Sequence, residues 1–515
     1  MRLTRWLVPG LVVAMLAVNA GAQPRDNRIR PNQPYQQPLP QPRQPSRVPS
    51  RQPQPQQQQP KPDQKPSEPW WAPRSRLGIA AIEATLRART PVGRGVTAAH
   101  VEGAPGSYMP NPQQIQGARF VGKSGPSDAN GHALATARIL YGRESLSPGI
   151  TDVHCYATNH WLGEGFLRTG TPFPPREDDR RIYNHSWIGQ GSPFDAQILR
   201  RVDWVVDTRD VIMVVGVNNG KDTSVPALLS SAYNVIAVGS NASSGGYTRV
   251  EGQGRCKPDI IAPTPLTSFA TPMVGAIAAR LLEMGNAMVA EARPQNGEQT
   301  DESKLPVKAF ANKSQVIRAV LFAGAHKPAG WTQAEGRPFD EHMGAGRVRF
   351  DRSYFIMSNP LASPDSPMGE QGWHYGRLKA GETINYELNV PQGGGELSIV
   401  LVWNRRIDGR TMHDPVTQQP MWIDLPRLAD LDLTLLDAAN PNRVVAASTS
   451  RVDNVEHIYQ RRATPGRYTV RISRHDNVDE SWDYALAWRL TRDDPGSSES
   501  DEPDEGGTND STSGS

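Results

Sequence analysis

The sequence predicts two folded units of different class. The first is an α/β unit built on a parallel sheet in three layers, and the second is an all-β sandwich of jelly-roll type. Two observations carry this. Across residues 73–358, short uninterrupted apolar runs alternate with stretches of helical periodicity, the pattern of a buried parallel sheet covered on both faces. After Pro360 the pattern switches to period two. Ile384, Tyr386, Leu388 and Val390 alternate with polar residues, as do Leu431, Leu433 and Leu435, then Tyr468, Val470 and Ile472, then Tyr484, Leu486 and Trp488. Antiparallel strands with one buried face read this way. A length of 515 residues leaves room for both units.

Residues 1–22 read as an export signal. Arg2 and Arg5 precede an apolar stretch, and Ala20-Gly21-Ala22 offers a small-x-small cleavage site. The apolar stretch is short for a membrane anchor, and no later run is expected to cross a bilayer. Residues 23–72 are Pro- and Gln-rich, with too few apolar side chains to offset the entropy of ordering. They read as an extended spacer. The α/β unit occupies 73–358, the sandwich 359–492, and an acidic Ser/Gly-rich tail 493–515.

Within the α/β unit, residues 79–86 read as a short amphipathic helix, 96–101 as a strand, 131–141 as a helix, and 150–156 and 181–187 as strands. Residues 196–206 are helical by spacing. Residues 211–215, 235–238 and 259–262 are apolar runs of the kind found in buried parallel strands. Ser314 to Ala323 is a further helix. The segment Pro265-Leu266-Thr267-Ser268-Phe269-Ala270-Thr271-Pro272 opens another, rich in small residues. There Thr267 or Ser268 is expected to cap the helix, and Pro272 to sit in its first turn.

The net charge of +3 is small and spread along the chain, which speaks against a nucleic-acid partner. The two cysteines, Cys155 and Cys256, could pair in an exported protein or be two unrelated buried thiols. His100, His154 and His160 lack metal-ligand spacing and read as structural. No cofactor is expected. Asp430, Asp432 and Asp437 could hold a structural calcium ion, but alternating acids on a strand's outer face are more often solvated.

Open α/β sheets carry their functional groups where strands end and helices begin. Glu102 follows the strand 96–101, His132 opens a helix, Asn218-Asn219-Gly220 follows the most apolar strand, and Ser268 opens the last buried helix. Together they offer an acid, a base, an amide donor and a nucleophile. In that order, the segments Gly93 to Glu102, Asn130-Gly131-His132, Ser186-Trp187-Ile188-Gly189, Gly216-Val217-Asn218-Asn219-Gly220, Asp259-Ile260-Ile261-Ala262-Pro263 and Leu266-Thr267-Ser268-Phe269-Ala270-Thr271-Pro272 resemble the motifs of subtilisin-like serine peptidases. The sandwich resembles, more loosely, the β-domains that follow such catalytic domains.

The resemblance implies an exported serine endopeptidase acting on polypeptides. Ser268 would be the nucleophile, His132 the base, Glu102 the acid that orients it and Asn218 the oxyanion donor. Ser186, Trp187, Ile188 and Gly189 would pair with extended substrate. Two departures favour a rival, a degenerate copy of the fold used as an envelope scaffold. Glu102 stands where the family has Asp, and the stretch before Thr267-Ser268 is much shortened, with Leu266 in place of glycine. The acid-acting sedolisin relatives also use a Glu. They need a partner Asp one helical turn from it and an Asp in the oxyanion position, and Asn218 argues against them.

Overall fold

The computed structural model describes residues 12–14, 68–190, 193–221, 223–243, 245–293 and 301–492. The remainder of the expected signal peptide, most of the expected spacer and the acidic tail lie outside these. The first α/β elements are α1 (Ile79–Leu86), β1 (Ala98–Val101), β2 (Arg119–Gly122), α2 (Gly131–Leu140), β3 (Asp152–Tyr156), β4 (Ile182–His185) and β5 (Ile188–Gln190). They continue with α3 (Asp195–Arg209), β6 (Ile212–Gly216), β7 (Ile236–Ser240), β8 (Ile260–Ala262), α4 (Thr267–Ala292), α5 (Ser314–Ala323) and α6 (Phe350–Met357).

Seven of these strands form one sheet in the order β8-β7-β6-β4-β1-β3-β2, and every neighbouring pair is parallel. Alternate residues of each strand serve opposite faces. Ala98, Ile182, Val214 and Cys155 join α2 and α4 in one core, while Ala99, Val101, Tyr183 and Tyr156 join α3 in the other. The small residues of α4 are there for close approach. A Cβ on Gly275 would lie 3.2 Å from Val214 and 3.4 Å from Leu140. By length and composition α4 could cross a membrane, contrary to the expectation that no later stretch could, yet it is mostly buried inside this core. Ala72 is buried and Trp71 packs on the core.

The C-terminal unit contains β9 (Gln371–Leu378), β10 (Thr383–Val390), β11 (Gly395–Trp403), β12 (Arg406–His413), β13 (Pro420–Arg427), β14 (Leu431–Asp437), β15 (Asn440–Ser448), β16 (Val455–Ala463), β17 (Gly466–Arg474) and β18 (Trp482–Arg492). Two antiparallel four-stranded sheets, β9-β18-β11-β16 and β10-β17-β14-β15, enclose a core that includes Leu397, Leu401, Leu433 and Trp488. β12 and β13 form a separate hairpin that packs on α3.

The two units share a buried seam. Val400, Val402 and Ala485 join the α/β core on the α5 side. Beside them the Asp203 carboxylate accepts from Arg405 Nε at 2.8 Å and from the Asn234 backbone N–H at 2.8 Å, with Arg405 Nη2 in ion-pair contact at 2.6 Å. Arg405 also donates to Glu251 at 2.8 Å. A desolvated ion pair of this kind holds only while every partner is present.

Candidate active site

Glu102 lies one residue past the end of β1. Its backbone N–H donates to the Tyr156 carbonyl at 2.9 Å, so ladder hydrogen bonding to β3 continues through it. Gly103 then turns the chain away at φ +62°, where a Cβ would come within 2.1 Å of the Ser107 carbonyl oxygen. His132 is held in the first turn of α2, which Asn130 caps by accepting from the Ala133 N–H at 2.9 Å. Asn218 follows β6, a strand buried along its whole length.

Ser268 is the second residue of α4, and its setting corrects two expectations. Neither Thr267 nor Ser268 caps the helix. Leu266 is the N-cap residue and offers no side-chain bond. Instead the Asn219 side-chain oxygen accepts from the Thr267 backbone N–H at 2.9 Å and from its hydroxyl at 3.0 Å. The cap therefore comes from 48 residues earlier in the chain, across the loop after β6. Pro272 lies inside the helix, past its first turn, where its missing N–H leaves the Ser268 carbonyl without an intrahelical partner.

The sheet topology thus brings Glu102 and His132 into contact and sets Asn218 and Ser268 at the same edge. Glu102 is 1% exposed, and its Oε2 lies 3.0 Å from His132 Nδ1. His132 Nε2 and Ser268 Oγ are both buried and have no hydrogen-bond partner among the described residues. α2 and α4 pack directly against each other. Burial by itself pushes the His132 pKa down, but the charge of Glu102 and the hydrogen bond to it outweigh burial, and the pKa is raised.

The other oxygen of Glu102, Oε1, is buried without a hydrogen bond and lies 3.9 Å from Nε2 of His100. The His100 ring is held at both ends, by Tyr141 Oη at 2.7 Å from Nδ1 and Thr136 Oγ1 at 3.1 Å from Nε2. Burial depresses its pKa to about 4. Its sequence spacing reads as structural, and its place beside Glu102 emerges only once β1 and α2 are packed.

Ser186 and Trp187 are buried, and Ile188 and Gly189 lie in β5. One edge of β5 pairs antiparallel with residues 12–14, Val12 opposite Gln190 and Ala14 opposite Ile188, so that edge accepts an extended segment. The shortened stretch before Ser268 is tied down by Ser240 Oγ, which donates to the Pro265 carbonyl at 3.0 Å. Next to the serine, Phe269 packs against Trp70, which remains 57% exposed, at a ring distance of 4.9 Å. No motif in the sequence marks Trp70.

Cys155 and Cys256 are both free and buried. His154, Asp178 and Asp179 gather within 4.8 Å of one another, a geometry that could hold a cation. Arg180 already matches that charge, with contacts of 2.6 Å to Asp179, 2.8 Å to Asp152 and 3.5 Å to Asp178. Of the three sandwich aspartates, Asp432 pairs with His475 and Asp437 with Arg443, and they form no metal group among the described residues.

Residues 122–346 match the model of the subtilase family. The match contains His132, Asn218 and Ser268 and begins after Glu102. Solved structures with detectable similarity include fervidolysin from Fervidobacterium pennivorans, a keratinolytic enzyme related to subtilisin (13% identity, 76% of this chain and 70% of that one, TM-score 0.34). MycP1 from Mycobacterium smegmatis is another (18% identity, 60% and 88%, TM-score 0.31). A quarter of the chain matches the pre-peptidase C-terminal domain of a Bacillus anthracis collagenase (16% identity, 25% and 93%, TM-score 0.17). No curated protein sequence matches the chain.

Proposed function

We propose that this chain is an exported serine endopeptidase that cleaves polypeptides through an acyl-enzyme, using Glu102, His132 and Ser268 as its triad. One observation carries the reading: a buried carboxylate bound to His132 Nδ1 at 3.0 Å, with His132 Nε2 and Ser268 Oγ both left without other partners. A serine hydroxyl is a poor nucleophile until a base removes its proton. With Nδ1–H donated to Glu102, the lone pair of Nε2 is available as that base. Hydrogen bonds of this kind are often long in an unliganded site and tighten with substrate.

In the reaction, Ser268 Oγ attacks the scissile carbonyl while its proton passes to His132 Nε2. Glu102 stabilises the resulting imidazolium. The side-chain amide of Asn218 is the proposed donor to the oxyanion. His132 then gives its proton to the leaving amine, and a water deacylates the serine by the same route. The β5 edge would hold the substrate as an added strand. No metal ion or cofactor takes part in these steps. The Asn219 contacts fix the start of α4, and with it the Ser268 backbone.

The full burial of Ser268 favours the rival reading, a fold kept as an envelope scaffold without activity. A fluorophosphonate probe at neutral pH separates the two. The peptidase reading expects labelling of the wild type that disappears in Ser268→Ala and His132→Ala. A folded wild type that takes no label, beside a subtilisin control that does, overturns it.

A further inference from the structure

An open cavity of about 710 Å³ lies between the α/β unit and the β12–β13 hairpin. Its Tyr156 and Trp204 belong to the α3 side of the sheet, opposite the face that carries α2 and α4. Five cationic side chains line it: Lys123, Arg168, Arg176, Arg209 and Arg410. The one acid there is Glu177.

None of the five cations pairs with a carboxylate among the described residues. Their partners are neutral. Arg176 Nε donates to the Glu164 carbonyl at 2.8 Å and Arg209 Nη2 to the Pro175 carbonyl at 2.9 Å. Arg168 sits over the Phe173 ring. Elsewhere on this molecule cations have found acids: Arg180, Arg200, Arg405, Arg406 and Lys313 are all in ion pairs. A set of unmatched cations around one cavity is a field that attracts negative charge.

The cavity is also built. A Cβ on Gly409 would strike the Trp422 ring at 2.5 Å and Trp204 at 2.8 Å. Glycine there lets the two rings meet edge to face at 5.7 Å. Thr411 Oγ1 donates to the Pro172 carbonyl at 3.1 Å, fixing the hairpin against the loop that carries Arg168 and Arg176. The cations ring an open trough and do not converge on one point. Such an arrangement suits a chain of carboxylates, each met by a guanidinium fork or an ammonium, with aromatic rings for the backbone to lie on.

The sequence supplies such a chain. Residues 493–515 contain eight acids (Asp493, Asp494, Glu499, Asp501, Glu502, Asp504, Glu505 and Asp510) and no Lys or Arg. They follow Arg492, the last residue of β18. The other end of β18 adjoins the hairpin base, where the Arg406 guanidinium lies over the Trp482 ring. At about 3.3 Å per residue, the path along β18 and out to Arg410 is roughly 45 Å, while Asp510 can reach about 60 Å from Arg492. The second half of the tail therefore spans the distance with slack.

We propose that the cationic trough between α3 and the β12–β13 hairpin binds the acidic C-terminal segment, residues 493–515, of the same chain. An acidic partner that uses this trough must then displace the tail. The proposal stands apart from the peptidase reading, since it uses no residue of the triad.

Zero-length carbodiimide cross-linking of the full-length protein, read by peptide mass spectrometry, tests it. Lys123 is the only lysine lining the trough. The expected result is an amide linkage between Lys123 and carboxylates of residues 501–510 in monomeric protein. It should fall at least tenfold in 1 M salt, which shortens the screening length to about 3 Å. It should fall likewise in an Arg168→Glu/Arg410→Glu variant. Lys313 and Asp210, 2.7 Å apart, provide the internal control for folding and reagent in every sample. The proposal is overturned if the control linkage forms and the Lys123–tail linkage does not. A linkage found only in cross-linked dimers, or unchanged in the charge-reversed variant, overturns it as well.

Discussion

Replacing Glu102 by Gln keeps the shape of the side chain and removes its charge. The carboxylate oxygen lies 3.0 Å from His132 Nδ1 and the group is 1% exposed. With an effective dielectric constant of about 20, an imidazolium and a carboxylate at that distance attract by roughly 5 kcal/mol. At 1.36 kcal/mol per decade this predicts a fall in kcat/KM of about 10³–10⁴-fold. The pH profile should move too. In the proposed mechanism only neutral His132 accepts the serine proton, so activity should rise as pH passes its pKa, which Glu102 holds above the ordinary histidine value. Without the charge, burial alone remains and pushes that pKa down, so the acid limb shifts to lower pH. Glu102→Asp is no repair. Losing one methylene opens the contact by about 1.5 Å, and an intermediate loss of about 100-fold is expected. The assay is hydrolysis of a chromogenic peptide from pH 5 to 9, with circular dichroism to confirm folding. A folded Glu102→Gln enzyme within tenfold of wild type, with its acid limb unmoved, would refute the assignment of Glu102.

Further expectations follow from the same contacts. Asn218→Ala should lower kcat by about 10²–10³-fold with little change in KM, the cost of losing one oxyanion donor; steady-state kinetics decides. Asn219→Ala leaves the Thr267 N–H and hydroxyl without their acceptor and should cost about 1–3 kcal/mol in urea unfolding. Arg405→Met leaves Asp203 and Glu251 buried without their shared cation and should cost about 3–5 kcal/mol by the same measurement. His185 is buried among Trp161, Tyr183 and Trp187 with both ring nitrogens unpartnered, and burial depresses its pKa to about 3. Its contribution is present above the unfolded-state value near 6.5 and is lost as pH falls below it, because only the unfolded chain takes up the proton. His185→Phe should recover about 2–3 kcal/mol at pH 4.5 and little at pH 7.5. A denaturation midpoint that keeps the same acid dependence in the variant would count against this.

What the sequence revealed depended on which faces of each element are buried. The helices Ile79–Leu86 and Ser314–Ala323 were legible to the residue. The apolar run of α4 stops at Leu282, yet the helix continues to Ala292. Its continuation has a task no pattern announces: Glu283 accepts from the N–H groups of Val92, Gly93 and Arg94 at 2.6–2.9 Å and so anchors the approach to β1. In the sandwich, alternation marked β10, β14, β17 and β18 but not β11. Leu397, Ile399, Leu401 and Trp403 of β11 enter the sandwich core while Val400 and Val402 pack into the α/β core. A strand buried on both faces has no period of two to read. The β12–β13 hairpin gave no signal for the opposite reason, since Met412, Met421 and Leu425 are all exposed.

The glutamate at the acid position posed a choice between a backbone set further back and a folded side chain. The hydrogen bond from Glu102 N–H to Tyr156 O keeps the backbone in the ladder, so the side chain absorbs the extra methylene. That leaves Oε1 facing His100. If Tyr141 donates its hydroxyl proton to His100 Nδ1, the remaining proton sits on Nε2 and points at Thr136 Oγ1 and Glu102. Thr136 can accept it, because its own proton goes to the His132 carbonyl one turn earlier at 3.0 Å. The backbone of His132 and the carboxylate of Glu102 are thereby referenced to one neutral ring. A shorter acid would not reach the base from this backbone, and a longer one without His100 would have no second contact to hold its conformation. Glu102 and His100 therefore belong to one solution, and exchanging either alone should disturb the geometry at His132.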